Sequence, residues 1–206
     1  MKIVAENSNP IHSRGNPYLE GMHEPIRQEI DVPDPEIIGE VPKDLTGIYL
    51  RNGPNPRHDP LGVHHWFDGD GMVHGVVIGD GKISYRNRWV KTRGMQEENR
   101  NGSTIWPGII DPPNRALKQA WGAGRWLKDS SNTDVVFHAG KAVTTFYQCG
   151  EPYILDPYTL ETLGTLDLQT GGARMMSAHN MVDEHTGEMM FFDYATVEPY
   201  MTYGVL

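Results

Sequence analysis

Residues 76–89 read Val76-Val77-Ile78-Gly79-Asp80-Gly81-Lys82-Ile83-Ser84-Tyr85-Arg86-Asn87-Arg88-Trp89. The first three residues are β-branched. After the turn, Ile83, Tyr85 and Trp89 alternate with polar neighbours, and Asn87 is the one polar residue on that face. A period of two is the mark of a half-buried strand. Between the runs, Gly79-Asp80-Gly81-Lys82 supplies residues that tolerate the positive φ of a tight hairpin turn. The stretch therefore reads as an antiparallel hairpin.

The same pattern recurs downstream. Val135-Val136-Phe137 and residues 142–147 flank His138-Ala139-Gly140-Lys141. Tyr153-Ile154-Leu155 and residues 163–168 flank Asp156-Pro157-Tyr158. Met189-Met190-Phe191-Phe192 follows Asp183-Glu184-His185-Thr186-Gly187. These turns repeat at a loose spacing of roughly 45–60 residues, the period of propeller blades. Upstream, Gly47-Ile48-Tyr49-Leu50 reads as a short strand that stops at Asn52-Gly53-Pro54-Asn55-Pro56, a dense turn signal. Residues 1–44 are polar and carry Pro17, Pro25, Pro33, Pro35 and Pro42. They read as an extended arm that wraps a body rather than builds one, leaving residues 45–206 as the β domain. A helical insertion is expected over residues 114–128, where Leu117, Ala120, Trp121 and Gly124 fall at helical spacing. A surface helix packed by Trp121 is favoured there over an apolar substrate entrance near Ile105-Trp106-Pro107. The chain ends on Tyr200-Met201-Thr202-Tyr203-Gly204-Val205-Leu206, a strand in mid-pattern. A C-terminally truncated domain is therefore expected.

Composition narrows the function. Of 206 residues 38% are hydrophobic, enough to build a core and to exclude a disordered chain. The net charge of -9 leaves no basic stripe for nucleic acid. No polybasic cluster, signal-peptide run or membrane-length apolar stretch is present. A single cysteine, Cys149, excludes an internal disulfide and fits a cytoplasmic location.

Nine histidines invite a metal reading. His64 and His65 are adjacent, so on a strand they face opposite sides. Neither H-E-x-x-H nor C-x-x-C occurs. Asp68-Gly69-Asp70-Gly71 lacks the glutamate that a calcium loop needs and reads as a turn whose acids bond the backbone. Cys149 reads as an inert thiol. His179, in Ser177-Ala178-His179-Asn180, precedes the fourth strand run. On spacing alone it is either a hydrogen-bonded structural residue or a ligand.

Five segments taken in order resemble the carotenoid cleavage oxygenase family. They are Leu45-Thr46-Gly47-Ile48-Tyr49-Leu50-Arg51-Asn52-Gly53-Pro54-Asn55-Pro56, then His65-Trp66-Phe67-Asp68-Gly69-Asp70-Gly71-Met72-Val73-His74, then Asn132-Thr133-Asp134-Val135. Pro152-Tyr153-Ile154-Leu155-Asp156 follows with Thr159-Leu160-Glu161-Thr162-Leu163-Gly164, and Ser177-Ala178-His179 comes last with Asp183 and Gly187-Glu188. The Tyr-Gln-Cys-Gly and Pro-Tyr-Met-Thr-Tyr-Gly stretches look nearest to the lignostilbene dioxygenase branch. The resemblance implies an all-β fold, about three blades of a seven-bladed β-propeller. It implies Fe(II) on the propeller axis, held by four histidines, of which His179 matches the first and the others lie beyond Leu206. It implies a conjugated, hydrophobic substrate and dioxygen as partners, with a C=C bond cleaved to two carbonyl products. Phe67 matches an aromatic that packs on substrate, with a place in the blade core as the equal alternative. Gln148 stands where the family often has a glutamate, which puts in doubt any charged role there in orienting a metal-bound histidine. Lignostilbene-cleaving members also use a tyrosine and a lysine near the substrate phenol, and no lysine of this chain takes that place. Lys141 sits on a turn.

Two other readings compete. One is a propeller-like binding module that keeps the motif without the metal. The other is a metal hydrolase built on the His-rich stretch, which the adjacent pair His64-His65 disfavours. On the leading reading, these 206 residues are a piece of an oxygenase and are inactive alone.

Overall fold

The Asp80-Gly81 turn joins β4 (Asp70–Gly79) to β5 (Lys82–Trp89). Both turn residues take positive φ, 53° and 72°, the hairpin geometry whose twist matches that of paired strands. Pairing then runs without a break from Gly79 opposite Lys82 to Met72 opposite Trp89. Asn87, the polar interruption of the pattern, is buried and acts as a stitch. Its Nδ2 donates to the Gln28 carbonyl at 2.9 Å, and its Oδ1 accepts from Ile30 N at 2.8 Å. It thereby fastens β2 (Gln28–Val32) alongside β5.

The computed structural model describes residues 1–119, 127–147, 150–168, 175–195 and 198–206. With β1 (Lys2–Glu6) and β3 (Gly47–Asn55), the first sheet has the order β1-β2-β5-β4-β3. The second holds β6 (Asp134–His138), β7 (Lys141–Thr145), β8 (Tyr153–Leu155) and β9 (Thr162–Thr165) in sequence order. The third holds β10 (Met181–Val182), β11 (Met189–Tyr194) and β12 (Met201–Val205). Every pairing is antiparallel. These three sheets are the three blades expected of a partial propeller.

Apolar clusters fill the gaps between sheets. Val73 of the first sheet and Val90 just after it meet Ala142, Tyr153 and Leu155 of the second and Leu160 between β8 and β9. Met189 and Phe191 of the third pack with Met176 and with Val136 of the second. Gly71 lets β4 pass close to the loop before β6, where a Cβ would lie 2.4 Å from the Ser131 carbonyl.

Two local expectations are corrected. The N-terminal segment also builds, since Lys2–Glu6 and Gln28–Val32 extend the first sheet. The strand at Gly47 does not stop at Asn52 but continues to Asn55. Pro54 is tolerated because β3 is an edge strand, where a missing N–H breaks no ladder bond. Residues 120–126 of the helical insertion expected over 114–128 lie outside the described residues, and among the described residues the α-helix lies at Arg93–Asn101 (α1). Thr92 caps it by accepting from Met95 N, and Gly102 ends it in the left-handed conformation. Residues 116–119 are non-helical, and Trp121 and Gly124 lie outside the described residues. Ile105 and Trp106 are buried, so they form no entrance patch.

Asp129 sits buried before the second sheet. Its carboxylate accepts from Ser131 N at 3.1 Å and Glu151 N at 2.6 Å. Burial outweighs these bonds and pushes the carboxyl up to about 7. The folded state therefore holds a proton that the unfolded chain releases near pH 4. Its contribution to stability is complete below that pH and is lost as pH rises to about 7. Asp129→Asn should flatten the decline in thermal midpoint between pH 4 and 7 relative to the parent. Parallel profiles for the two proteins would contradict this.

Candidate functional site

A cavity of about 550 Å³ opens where the first sheet meets the Ser177–Asn180 turn region, within the usual range for small-molecule sites. His179 and Phe67 both line it, with Trp66, Tyr147, Phe192 and Tyr194 supplying most of the remaining wall. The rings are in mutual contact. Phe67 and Tyr147 have centroids 5.7 Å apart, Trp66 and Phe67 6.3 Å, and Phe192 and Tyr194 6.1 Å. Phe67 is 50% exposed. It also lines a second, smaller cavity of about 60 Å³.

The turn bearing His179 is held on all sides. Ser177 N donates to the Phe192 carbonyl at 2.8 Å, and Ser177 Oγ to the Tyr147 carbonyl at 3.0 Å. The same Tyr147 carbonyl accepts the Tyr194 hydroxyl at 2.6 Å. Asn180 Nδ2 donates to the Ser177 carbonyl at 2.9 Å. His179 N donates to Asp134 Oδ2 at 2.9 Å. The imidazole itself is exposed to the cavity and makes no hydrogen bond to the described residues.

Several other histidines have structural engagements. His58 bonds Asn9 through Nδ1 and Asn99 through Nε2. His74 Nδ1 meets the Tyr85 hydroxyl at 2.7 Å. His65 Nδ1 accepts from Phe67 N at 3.1 Å and so fixes the aromatic loop. His64 and His65 lie in a loop rather than on a strand. His64 is buried, and burial followed by the neighbouring His65 charge pulls it down to about 4. His185 is exposed in its turn, where its N–H donates to Asp183.

The acids of Asp68-Gly69-Asp70-Gly71 divide their work. Asp68 accepts from His65 N at 2.8 Å and Ile109 N at 3.0 Å, as expected for a turn acid, while burial holds its carboxyl above the usual range. Asp70 instead pairs with Lys128 at 2.8 Å. Among the described residues no three His, Cys, Asp or Glu side chains converge as a metal-binding group. Gln148 and Cys149 lie outside the described residues.

Sequence reasoning named His179 and Phe67, which line the cavity, and did not name Trp66, Tyr147 and Tyr194 as its walls. It also gave no role to Asn132 and Asp134. Asn132 Nδ2 donates to the Phe67 and Gly69 carbonyls at 2.9 and 2.8 Å. Asn52 Nδ2 in turn holds the Ser131 and Asp134 carbonyls. Four of the five resembling segments thus converge on one cavity, through Arg51–Pro54, Trp66-Phe67, Asn132-Thr133 and Ser177-Ala178-His179.

A family model described as retinal pigment epithelial membrane protein matches residues 23–206. The chain belongs to the carotenoid cleavage oxygenase family. This carotenoid cleavage oxygenase chain is 35% identical over its whole length to a carotenoid 9,10(9',10')-cleavage dioxygenase of Arabidopsis thaliana, of which it covers 40%. It is 34% identical over 94% of its length to an isoeugenol monooxygenase of Pseudomonas nitroreducens, again covering 40% of that relative. Its fold matches the lignostilbene dioxygenase of Pseudomonas brassicacearum with a TM-score of 0.78 and 30% identity, covering 97% of this chain and 41% of that one. A Synechocystis apocarotenoid oxygenase shares the fold at a TM-score of 0.68 and 23% identity, covering 88% and 43%. The carotenoid cleavage oxygenase chain thus spans about 40% of the length of the relatives it matches. No helix among its described residues is long and apolar enough to cross a membrane.

Proposed function

We propose that this chain forms part of an Fe(II)-dependent dioxygenase that cleaves a conjugated C=C bond of a stilbenoid or apocarotenoid to two carbonyl products. The carrying observation is the convergence of family segments on one aromatic cavity, with His179 on a fixed turn and Phe67 on the facing loop. The donor set fits iron at one position. His179 presents an imidazole, a ligand type suited to iron, beside an aromatic cavity. His179 would hold the metal, with the remaining ligands supplied by the part of the family fold that these residues do not span. When bound, Fe(II) supplies the dioxygen chemistry, and the protein supplies orientation and exclusion of water.

The residues present account for that second task. Phe67, Tyr147 and Trp66 offer ring faces to a flat conjugated substrate, where apolar and stacking contacts add. Asn132 fixes the Phe67 loop by its carbonyl, so the wall is set before substrate arrives.

The relatives' names divide between dioxygenase and monooxygenase. Labelled dioxygen decides between them for this protein. On the proposed reading, both carbonyl products of the intact enzyme carry label from O2. Label in only one product would favour monooxygenation. Turnover without oxygen, or with zinc alone, would exclude oxygenase chemistry.

On the same reading the 206 residues by themselves neither retain iron nor turn over. One imidazole does not hold Fe(II) against water and buffer. The isolated chain should melt broadly and bind a hydrophobic dye, because Met201, Tyr203 and Tyr200 lie exposed in or beside β12. A sharp melt with stoichiometric iron would contradict this.

A further inference from the structure

We infer that Asp134 is a positioning residue for His179, aiming its imidazole into the cavity from the neighbouring blade. The inference rests on the reading of His179 as the iron ligand and names the residue that gives it its direction. His179 has a φ of 67°, in the left-handed region that non-glycine residues avoid. A side chain held there points where an extended backbone would not send it, so something must hold the backbone.

The bond that does so comes from outside the turn. Asp134 Oδ2 accepts the His179 N–H at 2.9 Å across 45 residues of sequence. The acceptor is itself immobilised. Asp134 Oδ1 accepts from Val135 N at 2.8 Å, and the Asp134 carbonyl accepts from Asn52 Nδ2 at 3.1 Å. Asp134 begins β6 in the second sheet, whereas His179 leads into β10 of the third. One carboxylate therefore carries the alignment of one blade into the His179 turn of the next. A bond that a backbone N–H donates to a carboxylate oxygen is among the stronger and more directional hydrogen bonds. Two residues earlier, Asn132 holds the Phe67 loop. A single short segment thus references the aromatic wall and the candidate ligand to the same frame.

Without the Asp134 carboxylate the His179 backbone is released toward the extended region and the ring swings away from the cavity. Asparagine keeps one acceptor oxygen for the two N–H groups of Val135 and His179, so it should substitute only in part.

The test compares Asp134→Ala, Asp134→Asn and His179→Ala in the intact protein. Asp134→Val, which keeps a strand-forming side chain, replaces the alanine variant if that one does not fold. Two readouts are taken: hydrogen exchange at the His179 amide in the metal-free protein, and Co(II) affinity from its visible absorption. Asp134→Ala should speed His179 exchange at least about tenfold, leave β4 and β7 amides unchanged, and weaken Co(II) about 10- to 100-fold, the usual loss when a ligand's support is removed. Asp134→Asn should fall between Asp134→Ala and the parent in both. Unchanged His179 exchange in Asp134→Ala overturns the inference. So does undiminished Co(II) affinity in Asp134→Ala when His179→Ala has lost the metal. If His179→Ala itself retains Co(II), the ligand reading fails instead, and the exchange result alone judges the positioning.

Discussion

His179→Ala in the intact oxygenase should abolish cleavage of a conjugated substrate, a loss of ~10³-fold or more, as when a group on which the reacting centre depends is removed. Iron content should fall with it. The His179 backbone N–H is held by Asp134 whatever the side chain, so alanine removes the imidazole and leaves that bond in place. His185→Ala should leave both iron and turnover intact, because His185 contributes only its backbone N–H to its turn. His58→Ala should lower stability without removing iron, since its ring bridges Asn9 and Asn99. Full turnover in His179→Ala would remove it from the site.

The second large effect concerns stability. Lys128 lies between two buried acids, with Nζ 2.8 Å from Asp70 Oδ1 and 2.5 Å from Glu98 Oε2. Both acids are almost wholly buried. Burial would pull the Lys128 ammonium down, but the two carboxylates more than compensate and hold it above its ordinary range. Glu98 also accepts from Ile105 N at 2.9 Å, tying α1 to the loop that follows. Lys128→Met would strand two carboxylates in an apolar setting. Breaking a buried ion pair from one side costs about 3–5 kcal/mol, which corresponds to roughly 10 °C in thermal midpoint for a chain of this size. The midpoint of Lys128→Met against that of the parent checks it. A fall under about 2 °C would show that solvent reaches the triad.

The hairpins were legible because their turns are chemical. Asp80-Gly81 and Ala139-Gly140 take positive φ in both residues, and glycine in the second place announces this in the sequence. The first sheet was harder to read. β1 and β2 join it partly through Asn87, whose two bonds to β2 leave no trace in hydrophobic periodicity. Pro54 inside β3 reads as a stop until the strand is known to be an edge. The helix Arg93–Asn101 buries only Gly94, Met95 and Glu98, so an apolar stripe never appears. Thr92 and Gly102 were its available signals, as cap and terminator.

At the site, residue type and family pattern led to His179 and Phe67. Spacing alone left His179 undecided. The aromatic wall could not be read from sequence, because Trp66, Tyr147 and Tyr194 come together only when three sheets are assembled. Asn132 and Asp134 were visible as part of a resembling segment, yet their work lies in bonds to Phe67 and His179 that span 65 and 45 residues.

We propose that His179 binds the iron of an oxygenase at this cavity. Anomalous-difference density collected at the iron absorption edge on crystals of the intact protein tests it most directly. One iron peak is expected at bonding distance from a ring nitrogen of His179, on the side of the Phe67 and Tyr147 rings. An iron peak elsewhere, with the His179 imidazole unligated, would contradict it.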